Sequence, residues 1–158
     1  MNVVALRVAD RVRRLVWRAF GPRTIGVRGL VVDDGHVLLV RHSYGRPTWH
    51  LPGGGVKRRE TLVDALAREL AEEVGVTITG PVRLHGTCSN LGEGKSDHIT
   101  VFVVDRWTRD PRAVAADGDA EIDATGRFPA GDLPADTSPG TRRRIDEWRD
   151  GRLAAFEW

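Results

Sequence analysis

Residues 49–76 read WHLPGGGVKRRETLVDALARELAEEVGV, and this stretch decides how the chain is expected to fold. Apolar side chains recur at helical spacing in its second half and Gly75 supplies a stop, so we predict a helix over Glu60–Val74. The residues expected on its buried stripe are Val63, Leu66, Ala67, Leu70 and Val74. The preceding run Gly53–Gly55 predicts a loop whose backbone can approach a ligand closely.

Three carboxylates share one face of this predicted helix, because Glu69, Glu72 and Glu73 stand at positions i, i+3 and i+4. Their mutual repulsion, and their opposition to the helix dipole, each cost roughly a few tenths of a kcal/mol. Hard oxygen ligands grouped in this way suit Mg²⁺ or Mn²⁺, whose charge would reverse the repulsion. The alternative is a solvated acidic face that pairs with nearby arginines such as Arg68.

The spacing of this stretch resembles the Nudix box. Counting from Gly54, five residues precede Glu60 and seven more precede Arg68-Glu69, and the segment after them, up to Val76, also matches the box. The stretch Trp49–Gly54 resembles the usual lead-in. The resemblance implies an α/β fold, an α/β/α sandwich around a mixed sheet, in which the box forms a loop, a helix and a loop. It also implies Mg²⁺-dependent hydrolysis of a phosphoanhydride bond in a nucleotide, with Mn²⁺ as a possible substitute.

The same resemblance implies roles for individual residues. The expected metal ligands are Glu69, Glu72, Glu73 and the backbone carbonyl of Gly53. Glu69 is the first candidate for orienting or deprotonating the attacking water. Arg68 is counted with the catalytic set and is expected to pair with a carboxylate. The residues with expected structural roles in the box are Gly54, Glu60 and Gly75, and Glu60 is expected to cap or brace the start of the helix.

The sequence offers several candidates for the general base. Some Nudix proteins use a glutamate from a later loop, and Glu93, Asp97 or Glu121 could serve here, although each also fits an ordinary surface acid. Many members carry a second glutamate three residues after the position of Glu121, and a tryptophan before the phenylalanine that comes next. Those two positions hold Ala124 and Arg127 in this chain, which departs from the family's pattern for a metal ligand or base in this segment.

Candidate substrate contacts come from residues outside the carboxylate face as well. Those for phosphate are Arg28, Arg41 and Arg46, and those for a base are Trp49, His98 and Phe102, with Gly54 beside them. Trp49 and Phe102 also fit a place in the core.

The favoured reaction is cleavage of a nucleoside triphosphate or modified dNTP to monophosphate and pyrophosphate. Leu91 and Gly92 stand where ADP-ribose hydrolases often carry a proline, which disfavours that class. The alternatives are pyrophosphohydrolysis of RNA 5′ ends and a nucleotide sensor that binds without cleaving.

The rest of the chain predicts a compact arrangement of short elements. Thr24–Val32 and His36–His42 form a predicted hairpin around the turn-forming Asp33-Asp34-Gly35. Other predicted elements are a short extended piece over Thr48–Leu51, strands over Val82–Cys88 and Ile99–Val104, a polar loop over Ser89–Asp97, a turn-rich segment at Phe128-Pro129 and Leu133-Pro134, a helix over Thr141–Arg149, and a strand or tail over Leu153–Trp158.

The N-terminal residues 1–22 predict a basic amphipathic helix ahead of a single domain over residues 23–158. Such a helix could lie on a membrane or an RNA backbone, but packing on its own domain or on a dimer partner is favoured.

Hydrophobic residues make up 41% of the chain and charged residues 29%, and Cys88 is its only cysteine. This composition favours a cytoplasmic protein without a disulfide or a membrane span, and it leaves monomer and homodimer open.

Overall fold

The computed structural model describes residues 23–42, 47–91, 96–110, 112 and 122–158. Its strands are β1 Arg23–Asp33, β2 His36–His42, β3 Trp49–His50, β4 Val76–Ile78, β5 Arg83–Asn90, β6 Ser96–Val104, β7 Trp107–Arg109 and β8 Ile122–Pro129. Its helices are α1 Leu62–Val74 and α2 Pro139–Arg149. The predicted N-terminal helix over residues 1–22 lies outside the described residues, so the division into that helix and one domain stays a prediction.

The first hairpin is confirmed. Strands β1 and β2 are antiparallel, and Asp34 and Gly35 between them have φ of 46° and 70°. Two consecutive positive φ values match the right-handed twist of the flanking strands, which explains the Asp-Gly pair at this point. Only Val32↔Val37 and Asp33↔His36 are in register, so the two strands separate soon after the turn.

The glycine segment fills the fork between the separating strands. Strand β3 pairs with the far end of β2 through Val40↔His50, and the residues after β3 then pair with β1. The N–H groups of Gly29 and Val27 donate to the carbonyls of Pro52 and Gly54 at 2.8 and 2.9 Å. This loop is therefore held against β1 by backbone hydrogen bonds.

The architecture is a mixed sheet between two helices. Strands β1 and β6 are parallel over nine residue pairs, whereas the other pairings are antiparallel. One core cluster joins Leu66 and Leu70 of α1 to one sheet face, and a second joins Ile145 of α2 to the other face. The predicted α/β/α sandwich is confirmed, and neither described helix is long and apolar enough to cross a membrane.

Several predicted boundaries were wrong. Phe128-Pro129 was expected in a turn-rich segment but ends β8, which pairs with the whole of β2. The predicted loop over Ser89–Asp97 is shorter, because β5 continues to Asn90 and β6 begins at Ser96. The short strands β4 and β7 were missed, since three residues are too few to show an alternating pattern.

Candidate active site

Helix α1 begins after Thr61 and ends at Gly75. The Thr61 hydroxyl accepts a hydrogen bond from the Asp64 N–H at 3.1 Å, which makes Thr61 the N-cap in place of Glu60. The predicted stop at Gly75 is present, with φ of 65° and its N–H donating to the Ala71 carbonyl. Thr61 outcompetes Glu60 for the cap because a hydroxyl two bonds from the backbone reaches the first free N–H groups easily.

The buried stripe of α1 differs in part from the prediction. Its members are Ala65, Leu66, Leu70 and Val74. Val63 is 44% exposed and Ala67 is also exposed, so their predicted burial was wrong. The sheet determines which residues of α1 are buried, because Gly29 of β1 leaves room for the side chains of Leu66 and Leu70.

Arg68 is the centre of the charged network on this helix. Its guanidinium contacts Glu60 at 2.7 Å, Glu69 at 2.8 Å and Glu72 at 3.1 Å. It also donates to the Gly55 carbonyl at 3.0 Å, which ties α1 to the end of the glycine loop. A planar group with five donors can hold four acceptors in this way, which a lysine could not.

Glu60 pairs with Arg68 and does not cap the start of the helix. Its carboxylate accepts from Arg68 and from the backbone N–H of Lys57 at 2.8 Å. These two hydrogen bonds, with Arg68 the larger cause, lower the pKa of Glu60 to about 2. The hydrogen bond to Glu60 is in turn the largest cause of the raised pKa of Arg68. The pair therefore stays charged throughout the physiological range.

The carboxylates of Glu73 and Glu69 lie against the glycine loop. Glu73 accepts from the Gly53 N–H at 2.7 Å. A side chain at Gly54 would place its Cβ 2.5 Å from a Glu69 carboxylate oxygen, so the two acids lie beside consecutive glycines. Glu72 lies farther out, with 49% of its side chain exposed.

Gly53 meets a steric demand that other residues do not. Its φ is 134°, and a Cβ there would overlap the carbonyl oxygen of Val27. The Gly53 carbonyl accepts a hydrogen bond from Arg28, whose guanidinium also lies 3.4 Å from the Leu51 carbonyl. Arg28, a predicted phosphate contact, therefore lies at the carbonyl that was predicted to bind the metal.

The donor set fits a hard divalent cation in its chemistry, because it consists of three carboxylates and a carbonyl. Within residues 23–42, 47–91, 96–110, 112 and 122–158, however, no three acidic, histidine or cysteine side chains are grouped closely enough to hold a metal ion. The reason is visible in the contacts: Arg68 lies between Glu69 and Glu72, and Glu73 is turned to the Gly53 N–H. Metal binding by all three glutamates thus stays a prediction.

The other predicted substrate contacts are dispersed. Trp49 is only 9% exposed and its ring packs edge-on against Phe128 at 4.9 Å, which places it in the core. Arg41 pairs with Asp123 at 2.7 Å and lies 5.2 Å from the Trp49 ring. His98 lies on β6 opposite Ile25 and bonds Ser89 at 3.2 Å.

The remaining candidate residues from the sequence lie in the core, have a structural partner or fall outside the described residues. Phe102 is buried in the core on the α1 side of the sheet. Asp97 accepts from the Thr24 hydroxyl at the start of β1, which gives this candidate base a structural partner. Arg46, Glu93 and Glu121 lie outside the described residues.

Sequence reasoning missed His50, which precedes the Leu51-Pro52 approach to the glycines. Its Nε2 lies 2.7 Å from the Thr48 hydroxyl, and its ring lies 5.8 Å from that of His42. Burial, and then the charges of Arg28 and His42, lower the pKa of His50 to about 4, so the ring is neutral at pH 7. Its position directly before the loop was the only signal in the sequence.

The comparison with protein families decides the assignment. The model described as NUDIX domain matches residues 22–148. The chain belongs to the Nudix hydrolase family. The Nudix box, Gly54 to Val76, is the part of the structure in which Arg68, Glu69 and Glu73 come together beside the glycine loop.

Curated Nudix relatives match mainly over short segments. An RNA pyrophosphohydrolase of Halorhodospira halophila is 50% identical over 50 residues, covering 30% of this chain and 27% of that protein. An 8-oxo-dGTP diphosphatase of Buchnera aphidicola is 48% identical over 42 residues, covering 27% and 34%. An 8-oxo-dGDP phosphatase of Mus musculus is 33% identical over 104 residues, covering 65% and 31%. The chain thus spans about a third or less of the length of these relatives.

Two solved Nudix structures match over nearly their whole length. A MutT NUDIX hydrolase from Burkholderia pseudomallei has a TM-score of 0.69 and 26% identity, covering 78% of this chain and 95% of that one. A NUDIX hydrolase from Nitrosomonas europaea has a TM-score of 0.70 at 21% identity, covering 84% and 92%, which shows the shared fold.

Proposed function

We propose that this protein hydrolyses a phosphoanhydride bond in a nucleoside triphosphate or a nucleoside diphosphate derivative, with Mg²⁺ or Mn²⁺ as cofactor. The observation that carries the proposal is the arrangement of Glu69, Glu73 and Arg68 around the glycine loop. A guanidinium between two carboxylates marks a position where this face attracts positive charge. A divalent cation and a diphosphate would meet that same face.

Cleaving a phosphoanhydride requires neutralised phosphate oxygens and a water held in line with the leaving group. A bound divalent cation would supply the charge and a more acidic water. The chain itself positions the groups: Glu73 holds the Gly53 backbone against α1, and Arg68 orients Glu69. Glu69 is the residue we assign to holding the attacking water, because its carboxylate lies directly beside Gly54.

The first candidate substrate is a nucleoside triphosphate or modified dNTP, cut to monophosphate and pyrophosphate. The relative named 8-oxo-dGTP diphosphatase supports this class. The second candidate is an RNA 5′ end, which the relatives named RNA pyrophosphohydrolase support. Both candidates share the phosphoanhydride and the metal, and they differ in whether a single nucleoside or a polynucleotide carries the reacting phosphates.

A nucleotide panel with Mg²⁺, with Mn²⁺ and with a chelator tests the proposal, with phosphate and pyrophosphate measured separately. We expect turnover only with metal. Replacing a carboxylate that binds the metal should lower kcat by about 100-fold or more, so Glu72→Gln should lose most activity. Asp64→Asn, on the same helix but bonded to Thr61, is the matched control and should retain it. Nucleotide binding without metal-dependent turnover would show a sensor instead and would overturn the proposal.

A further inference from the structure

Four exposed cations form a strip beside the glycine loop: Arg23, Lys57, Arg58 and Arg59. We call this group the cationic strip. Within the described part of the chain, none of the four side chains makes an ion pair. Some exposed arginines elsewhere do pair with carboxylates, as Arg127 does with Asp33 and Arg152 with Asp150, whereas Arg143, among the described residues, donates only to backbone carbonyls.

Neighbouring acids form no ion pair with the strip within the described residues, although the charge of Lys57 acts on Glu60. Glu60 is held by Arg68, and the Asp64 carboxylate accepts from the Thr61 hydroxyl at 2.6 Å. Asp97, beside the start of β1, accepts from the Thr24 hydroxyl. In the part of the chain that the structure describes, the strip therefore presents four exposed cationic side chains to solvent without a paired carboxylate.

Backbone pairing places this charge next to the reacting residues. Gly55 forms a bridge with Gly26, and the Val56 N–H donates to the Ile25 carbonyl at 2.9 Å. Lys57 comes directly after, beside the beginning of β1. The Gly55 carbonyl is the one bonded by Arg68, so at about 3.3 Å per residue the strip begins about 7 Å along the chain from Gly55, within the box.

A free nucleoside triphosphate carries its charge in the phosphates that we place at the glutamates. A ligand that continues as a chain of phosphates would offer further charges to the cations of the strip. Proteins that bind single strands track the backbone with positive charge in this way. Residues 1–22, which lead into Arg23, carry five more arginines in the sequence.

We propose that the cationic strip binds the phosphodiester backbone of a single-stranded nucleic acid whose 5′ polyphosphate end lies at Glu69, Glu72 and Glu73. This rests on the proposed function for the position of the 5′ end, but the backbone contact itself is independent of turnover. It favours a polynucleotide over a free nucleotide as the substrate of this site.

The test measures binding of 5′-triphosphorylated RNA and DNA oligonucleotides of about twelve nucleotides, a length within the range of single-strand sites, in chelator to prevent hydrolysis. The full chain is compared with the triple variant Lys57→Gln, Arg58→Gln, Arg59→Asn. Asparagine is chosen at position 59 because Arg59 has a φ of 64°, which asparagine tolerates. The control variant, Arg127→Gln, Arg149→Gln, Arg152→Gln, removes the same charge from paired surface positions.

We expect affinity for RNA to fall at least about tenfold in the strip variant, and the slope of log K against log salt to become shallower by about 2, because three phosphate contacts are lost from a single strand. The control should keep the slope of the unmodified chain. An equal loss for RNA and DNA assigns the contact to the phosphates, and a loss confined to RNA assigns it to the ribose as well.

Equal slopes in the strip and control variants would overturn the proposal. So would binding to phosphatidylserine vesicles that depends on the strip while oligonucleotide binding does not, since the partner would then be a membrane. The nucleotide panel reports on turnover separately. If no nucleotide is hydrolysed but the strip variant has a shallower salt slope than the control, only the hydrolase proposal is refuted. If nucleotides are hydrolysed but the two variants have equal slopes, only the strip proposal is refuted.

Discussion

The Glu73 carboxylate accepts a 2.7 Å hydrogen bond from the Gly53 backbone N–H, so the acidic helix itself holds the loop that it faces. Glu73→Gln keeps an acceptor for this N–H but removes the charge. We therefore expect its free energy of unfolding to stay within about 1 kcal/mol of the unmodified chain, because the hydrogen bond survives. Its kcat should fall by about 100-fold or more, because the metal would lose a charged ligand.

The variant Glu73→Ala separates the hydrogen bond of Glu73 to Gly53 from its proposed role as a metal ligand. It leaves the Gly53 N–H without that acceptor and should cost about 1–3 kcal/mol in urea unfolding. Near-normal hydrolysis by Glu73→Gln, measured by pyrophosphate release, would contradict the assignment of Glu73 to the metal site.

Gly53 offers a test of the backbone. Gly53→Ala forces an L side chain to a φ of 134° and into the Val27 carbonyl, so we expect a loss of at least about 2–3 kcal/mol in stability. Gly55→Ala is the matched control, since a Cβ there meets nothing within 4 Å and its φ is not positive. It should stay within about 1 kcal/mol of the unmodified chain. Equal unfolding midpoints for both variants would show that the loop is not held between the strands as described.

The local sequence pattern predicted the parts of this fold that depend on residues adjacent in the sequence. The hairpin turn at Asp34-Gly35 and the helix stop at Gly75 each need a positive φ, and residue type alone indicates such positions. The family resemblance supplied the layers and the carboxylate face.

Contacts between distant segments were not predictable in the same way. The sequence predicted one carboxylate partner for Arg68, but the structure gives it three and a carbonyl, because the glycine loop returns to the helix. Trp49 was considered for a base contact, whereas its pairing with the distant Phe128 places it in the core. Val63 was expected to be buried, but Gly29 on the sheet leaves room for Leu66 and Leu70, so α1 buries those two side chains and leaves Val63 exposed.

Arg68→Lys tests whether the planar group is needed. Lysine keeps the charge but cannot hold Glu60, Glu69 and Glu72 at once, so we expect a loss of about 1–3 kcal/mol in stability. The pKa of Glu60 should rise from about 2 toward 4.5, measurable by NMR titration of its carboxyl carbon. Arg83→Lys, in an exposed pair with Asp105, is the control and should change stability by less than about 1 kcal/mol. An unshifted Glu60 would show that Arg68 does not hold it.

His50 predicts a pH dependence of stability. Its pKa is lowered to about 4 in the folded chain from an ordinary 6.5. Between these values the unfolded chain binds a proton that the folded chain does not, so stability falls as the pH drops through this window. His50→Gln should reduce this loss, seen as a smaller change in urea midpoint between pH 7 and pH 5. His36→Gln, at the hairpin turn, should leave the dependence of the unmodified chain in place. A His50→Gln curve parallel to that of the unmodified chain would contradict the prediction.

The pair of Arg144 and Glu147 ties the C-terminal tail to α2. Arg144 is fully buried and Glu147 is 3% exposed, with 2.9 Å between the Arg144 Nη2 and a Glu147 oxygen. The Ala155 N–H donates to Glu147, and the Ala155 carbonyl accepts from Arg144 at 2.9 Å. Glu147→Ala leaves a buried cation, so we expect a loss of about 3–5 kcal/mol in the free energy of unfolding.

Asp146→Ala, which removes an exposed partner of Arg149, is the matched control on the same helix and should cost less than about 1 kcal/mol. The double variant Arg144→Met, Glu147→Leu should recover part of the loss, because it removes the stranded charge along with its partner. Amide hydrogen exchange at Ala155 should accelerate in Glu147→Ala beyond the change in global stability. If exchange and stability instead match the Asp146→Ala control, the tail is held by its backbone contacts with β5 and not by the buried pair.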